Sequence, residues 1–118
     1  MPNPNYNRGT NLEREVARLY RQMGWFAQTS KGSHGVDVVA ISPTYSLTVV
    51  DGHHSVAYPK QQIVHFTHCH DRKTGPWLAP EEKQRIIEEA RQYGAVPMIA
   101  YRIKTGKMRG WTRCEEVV

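Results

Sequence analysis

Val36-Asp37-Val38-Val39-Ala40-Ile41 is the stretch on which the fold turns. A short, nearly continuous apolar run is the mark of a strand covered on both faces of a sheet. Only Asp37 interrupts it. A carboxylate at the mouth of a buried strand is costly unless it is paired or bound to a cation, so Asp37 is the first candidate for function. Upstream, Ser30-Lys31-Gly32-Ser33-His34-Gly35 reads as a small-residue loop, and Trp25 to Thr29 as a short strand. Thr10-Asn11-Leu12-Glu13 has capping-box spacing, which predicts a helix with Thr10 at its N-cap and Glu13 at the third helical position. Leu12, Val16, Leu19, Tyr20 and Met23 then recur at helical spacing as far as Gly24, with Arg14, Arg18 and Arg21 on the wetter side.

Downstream, Ser42-Pro43-Thr44 is a turn, Leu47 to Val50 a strand, and Asp51 to Gln62 a loop or peripheral hairpin. Ile63 to His70 has strand composition, with Phe66, His68 and His70 on one face by the two-residue period. Pro80 opens a second helix whose apolar stripe is Ile86, Ile87, Ala90 and Tyr93, ended by Gly94. Pro97 to Arg102 and Gly110 to Cys114 are two last strands around a basic loop. Helix, three or four strands, helix, two strands describes an α/β domain with a central mixed sheet.

With 118 residues, one domain spanning 1–118 is expected, with no room for a separate cofactor-binding module. A hydrophobic content of 39% and a charged content of 23% exclude disorder and collagen-like repeats. No apolar run approaches a membrane span, and Met1-Pro2-Asn3-Pro4-Asn5 lacks the apolar stretch of a signal peptide, so a cytoplasmic location without membrane contact is expected. Cys69 and Cys114 are too few for a disulfide scaffold. Sixteen Lys plus Arg against eleven Asp plus Glu give a net charge of +5, which points to an anionic partner, most simply nucleic acid. The positive charge falls in three series: Arg8 to Lys31, Arg72 with Lys73, and Arg102, Lys104, Lys107, Arg109 and Arg113 in an acid-free run with Tyr101 and Trp111 interleaved. Four acids stand alone: Glu13, Asp37, Asp51 and Asp71. A carboxylate among phosphate-binding cations often holds a metal ion.

Gly9-Thr10-Asn11-Leu12-Glu13-Arg14-Glu15, Gly32 to Ala40, Tyr93 to Tyr101 and Gly110-Trp111, in that order, resemble the archaeal-type Holliday junction resolvases of the PD-(D/E)xK nuclease superfamily. The resemblance implies a restriction-endonuclease-like fold, a central mixed β-sheet flanked by helices. It implies a structure-selective endonuclease that cuts four-way DNA junctions by metal-dependent phosphodiester hydrolysis, with Mg2+ or Mn2+ as cofactor and a symmetric homodimer as the working unit. Glu13 matches the family's helix glutamate, Asp37 its strand aspartate, and Ser33 a position near the scissile phosphate. The E-x-K triplet departs from the pattern: one registration puts His68-Cys69-His70 there, the other Asp51-Gly52-His53. On the first, Glu13, Asp37 and His68 are the expected metal ligands, His70 stands at the lysine position, and an imidazole ligand favours Mn2+ over Mg2+.

Under the same resemblance Arg8, Lys31, Arg72, Lys73, Arg102 and Lys104 are candidates for phosphate contacts on branched DNA. Trp77, Leu78 and the second helix offer apolar residues either for a dimer contact or for the core. Each assignment has a plainer rival: Glu13 as a helix-capping partner, Asp37 as half of a structural salt bridge, and Ser33 as an ordinary loop residue. The histidines suit a decayed triplet in a protein that binds branched DNA without cutting it. A related repair or restriction-like nuclease is a further alternative. A zinc site from His65, Cys69, His53 or His54 fits none of the usual ligand spacings.

Overall fold

A computed structural model describes residues 4–30, 35–72 and 76–118. Helix α1 (Pro4–Gln22) starts ahead of the expected capping box, so Thr10 and Glu13 both lie inside the helix. Pro4 explains the earlier start, because a helix's first turn has no use for the N–H that proline lacks. Gly24 at φ +87° ends this segment and Gly94 at φ +67° the second helix, both in the left-handed region that favours glycine. Strands β1 (Phe26–Thr29) and β2 (Val38–Ile41) follow, then the hairpin β3 (Tyr45–Asp51) and β4 (His54–Pro59). Strand β5 (Val64–Cys69), helix α2 (Pro80–Gln92), β6 (Val96–Arg102) and β7 (Thr112–Glu116) complete the chain.

The main sheet has the order β1-β2-β5-β6-β7. Its one parallel pair, β5 with β6, is joined through α2, and the other neighbours are antiparallel. This is a central mixed sheet with a helix on either face. Leu12, Val16, Ala17 and Tyr20 of α1 pack on Ala27, Val38, Ala40 and Ala100, with Trp25 and Cys69 against them. On the opposite face Ile86 packs with Ile99 and Val117, flanked by Leu78 and Ile87. Leu78, Ile86, Ile87 and Ala90 are thus turned to the core, whereas Trp77 is 65% exposed and Tyr93, expected in the same stripe, is 67% exposed just past the end of α2. Burying Leu12 and Val38 completely stabilises the fold by about 1.5–3 kcal/mol each.

Strand period and register decide which face each β5 residue serves. Cys69 pairs with Ala100 and turns to α1; His68 pairs with Ile99 and turns to α2. The hairpin β3–β4 is a separate two-stranded sheet, closed at its base where the Ile63 N–H donates to Ser42 Oγ at 2.7 Å. Tyr45, Leu47, Val49 and Val50 on it are exposed. Because β2 starts beside Asp37 and runs toward the hairpin, the hairpin and Asp37 occupy opposite ends of the sheet. No described helix is long and apolar enough to cross a membrane.

Candidate active site

Asp37 stands just ahead of β2, with its backbone tied on both sides. Its N–H donates to Thr67 O at 3.1 Å and its carbonyl accepts the Ser30 N–H at 2.9 Å. The side chain is therefore delivered to the sheet end, where Oδ2 accepts the Cys69 N–H at 2.8 Å. From the helix side, the Glu13 carboxyl meets the same group. Burial, then the charge of Asp37, then a hydrogen bond to it raise the Glu13 pKa from 4.5 to about 7. Two carboxyls thus meet at the strand mouth, and burial first, with the neighbouring charge second, favours the protonated form of Glu13. Near neutrality Glu13 is poised to hold or release that proton.

The two triplet histidines lie on the other face of β5. His68 is 8% exposed, its Nε2 is buried without a partner among the described residues, and burial lowers its pKa against the pull of Asp37 and Glu89. Burial, aided by Arg72, lowers the pKa of His70 too, and its Nδ1 is likewise unpartnered. Both rings are thus neutral near pH 7. On the first registration, then, His70 does not supply the cation expected of the lysine position. Cys69 faces the carboxylates instead, but burial and the charges of Asp37 and Glu13 push its thiol far up, which makes it inert as a nucleophile. Among the described residues no three of His, Cys, Asp and Glu are placed to hold a metal by themselves, so Glu13, Asp37 and His68 do not form a closed ligand set, and no zinc cluster is present.

Two of the expected phosphate contacts are already engaged. Arg102 donates from Nη1 to Asp71 at 2.9 Å and from Nη2 to Glu15 at 2.8 Å, and Lys104 Nζ bonds the other Asp71 oxygen. Asp71 is 4% exposed at its side chain. Burial works to raise its pKa, but the hydrogen bonds and charges of Lys104 and Arg102 together hold it below the usual range. Arg72 lies 3.7 Å from Glu82. Sequence reading marked Asp71 as a solitary acid among cations, yet gave no role to Asp71 or Glu15; only strand register shows that they neutralise Arg102 and Lys104. Ser33, Lys31, Lys73 and the Arg8 side chain lie outside the described residues.

The Asp51-Gly52-His53 registration places its acid on the exposed hairpin, outside the sheet that carries Asp37. There Asp51 accepts the His53 N–H at 2.8 Å and contacts His54 Nδ1 at 2.8 Å. These contacts, the His53 N–H foremost, lower its pKa. Asp51→Asn is accordingly expected to leave cleavage of a labelled four-way junction within about twofold of wild type, as is usual for an exposed substitution remote from a site. A loss of a hundredfold would restore this registration.

The mixed sheet thus carries a helix on either face and brings two carboxyls together at the mouth of β2. Among solved structures, the chain is similar to Archaeoglobus fulgidus Hjc, a Holliday junction resolvase from an archaeal hyperthermophile, at a TM-score of 0.62 and 20% sequence identity, covering 93% of this chain and 73% of that one. At that identity the likeness is one of fold. No protein-family model and no curated protein matches the sequence.

Proposed function

We propose that this protein is a metal-dependent endonuclease that cuts four-way DNA junctions, working as a homodimer. The observation that carries the reading is the Glu13–Asp37 carboxyl pair at the mouth of β2 in a resolvase-like fold. The pair fits a divalent cation: two crowded carboxyls hold one proton between them, and a hard cation takes oxygen ligands in its place. Mg2+ is commonly held by one or two carboxylates, with water and substrate phosphate filling the other positions, so Glu13 and Asp37 suffice without a third side chain. His68, turned to α2, is not needed as a ligand, and the case for Mn2+ over Mg2+ that rested on it falls away.

Such a cation supplies charge neutralisation at the scissile phosphate and makes water more acidic. The remaining work belongs to the chain. The Cys69 N–H orients the Asp37 carboxylate, and the α1 packing of Leu12 and Val16 sets Glu13 against it. Hydrolysis adds a water oxygen to phosphorus as one P–O ester bond breaks; the proton lost by water and the one gained by the leaving oxygen must both be handled near neutral pH. Because metal-free Glu13 has a pKa of about 7, taking up the cation near neutrality releases a proton from the pair.

The experiment is to incubate a labelled four-way junction and a matched linear duplex with the protein in Mg2+ and, separately, in Mn2+. Paired cuts in opposing strands of the junction, with little cleavage of duplex, are expected. Binding without cuts in either metal overturns the enzyme reading in favour of a branched-DNA-binding protein, for which the neutral, unpartnered His68 and His70 rings are the supporting observation. Equal cleavage of duplex and junction favours a repair or restriction-like nuclease.

A further inference from the structure

The basic turn between β6 and β7 stands at the same end of the sheet as Asp37. Strands β5 and β6 run parallel, Cys69 pairs with Ala100, and Arg102 closes β6 just beyond. The turn is internally braced: the Ile103 N–H donates to Trp111 O at 2.9 Å, the Gly110 N–H to Ile103 O at 2.8 Å, and the Trp111 N–H to Met108 O at 2.9 Å. It encloses an open concavity of about 330 Å³ lined by Arg102, Ile103, Lys104, Arg109 and Gly110.

Charge divides this concavity into floor and rim. On the floor, Arg102 and Lys104 are matched against Asp71 and Glu15, so two cations meet two carboxylates. On the rim Arg109 is exposed, Lys107 in the same turn is exposed as well, and neither has an ion pair among the described residues. The nearest chain neighbours bring no relief, because the segment from Arg91 through Arg113 contains no acid. Trp111, next to Gly110, is 60% exposed and so offers an aromatic surface beside these cations. The hairpin at the far end of the sheet is also exposed, but its strands carry no Lys or Arg and their one acid is Asp51, with Lys60 the one cation at its base.

The geometry points to the β6–β7 turn as a second nucleic-acid contact, in which Arg109 and Lys107 each hold a backbone phosphate and the Trp111 indole covers an unstacked base. Arg102 and Lys104 are then positioning residues. Their ion pairs with Asp71 and Glu15 keep the floor rigid and neutral, and free cations are offered only at the rim. Backbone cations confer salt-sensitive binding without regard to sequence, and aromatic rings accept any base. A branched substrate reaching the carboxylates meets this turn first on the β6 side. The inference rests on the nuclease reading for its choice of substrate but not for its test.

That test measures binding of a four-way junction, a linear duplex and a single strand by fluorescence anisotropy across a salt series, with no divalent cation present. For Lys107→Gln/Arg109→Gln, the slope of log K against log salt is expected to shrink by about 2 on every DNA form. Arg109→Lys should retain the wild-type slope, and melting temperatures check that each variant is folded. Trp111→Ala should weaken single-strand binding roughly tenfold and duplex binding much less. A wild-type slope in the folded double variant overturns the phosphate contact, and unchanged single-strand affinity in Trp111→Ala overturns the stacking contact. Failure of the wild type to cut junctions strikes the nuclease reading alone and leaves these differences standing.

Discussion

Glu13→Gln is expected to lower junction cleavage by at least about a hundredfold while making the protein more heat-stable above pH 7. The two effects have one cause. An unfolded Glu13 loses its proton near pH 4.5, whereas the folded one keeps it to about pH 7 because burial and Asp37 disfavour its charge. Between those values the native state binds the extra proton, so stability falls as pH rises through the window and stays lower above it. Gln cannot ionise and is spared that loss. Discounted for the partial exposure of Glu13, the gain is roughly 1 kcal/mol, which in a domain of this size is a few degrees of melting temperature. Thermal melts at pH 4 and pH 8 separate the outcomes: the variant should match wild type at pH 4 and exceed it at pH 8. Equal differences at the two pH values, or retained cleavage, would count against the carboxyl pair. An ordinary helix-surface glutamate shows neither effect.

Asp71→Ala should be the most damaging single change outside the apolar core. Asp71 is nearly inaccessible and accepts from both Arg102 and Lys104, so its removal strands two cations in a site shaped for a carboxylate. Breaking a buried pair by deleting one partner costs more than the pair itself is worth. Arg102 keeps Glu15 and both cations reach some solvent, which brings the expected loss to about 2–3 kcal/mol. Urea denaturation measures it. Lys104→Met added to Asp71→Ala should recover part of the loss, since one stranded charge is then gone. A double variant no more stable than Asp71→Ala would show that packing, not charge, holds Asp71 in place.

Much of the architecture was legible from local pattern. The apolar run at Val36 to Ile41 and the helix from Pro80 toward Gly94 rest on short-range periodicity, and both are found; the order of helices and strands is also found, except that five strands, not three or four, stand between the helices. Asp37 was singled out for a purely local reason, a charge at the mouth of a buried strand, and the geometry makes it the hub of the site. The start of α1 was misplaced because a capping box is a permissive signal that an upstream proline can override. Asp51 to Gln62 was read as a loop or a hairpin by itself; it supplies one strand, β4, and the hairpin forms because that strand pairs with β3, which local pattern had treated as a strand apart.

The site itself was less legible, because its meaning lies in pairings between distant residues. Arg102 meets Glu15 across 87 positions and Asp71 across 31, and no window of sequence contains either pair. By composition alone Arg102 and Lys104 were free cations; register against β5 makes them partners of a buried acid. Likewise the two-residue period put His68 and His70 on one face, but which face only the packing of α1 and α2 could decide. The sequence by itself determined the elements, their order and the solitary acid at the mouth of β2, since these follow from propensity and from the cost of burying a charge. Tertiary structure alone decided that burial and that acid raise the Glu13 pKa, that the histidines turn to α2 where burial lowers theirs, and that Lys107 and Arg109 alone of the third basic series stand in the β6–β7 turn without an ion pair among the described residues. Electrostatic character depends on neighbours in space, and those neighbours are chosen by strand register and helix packing.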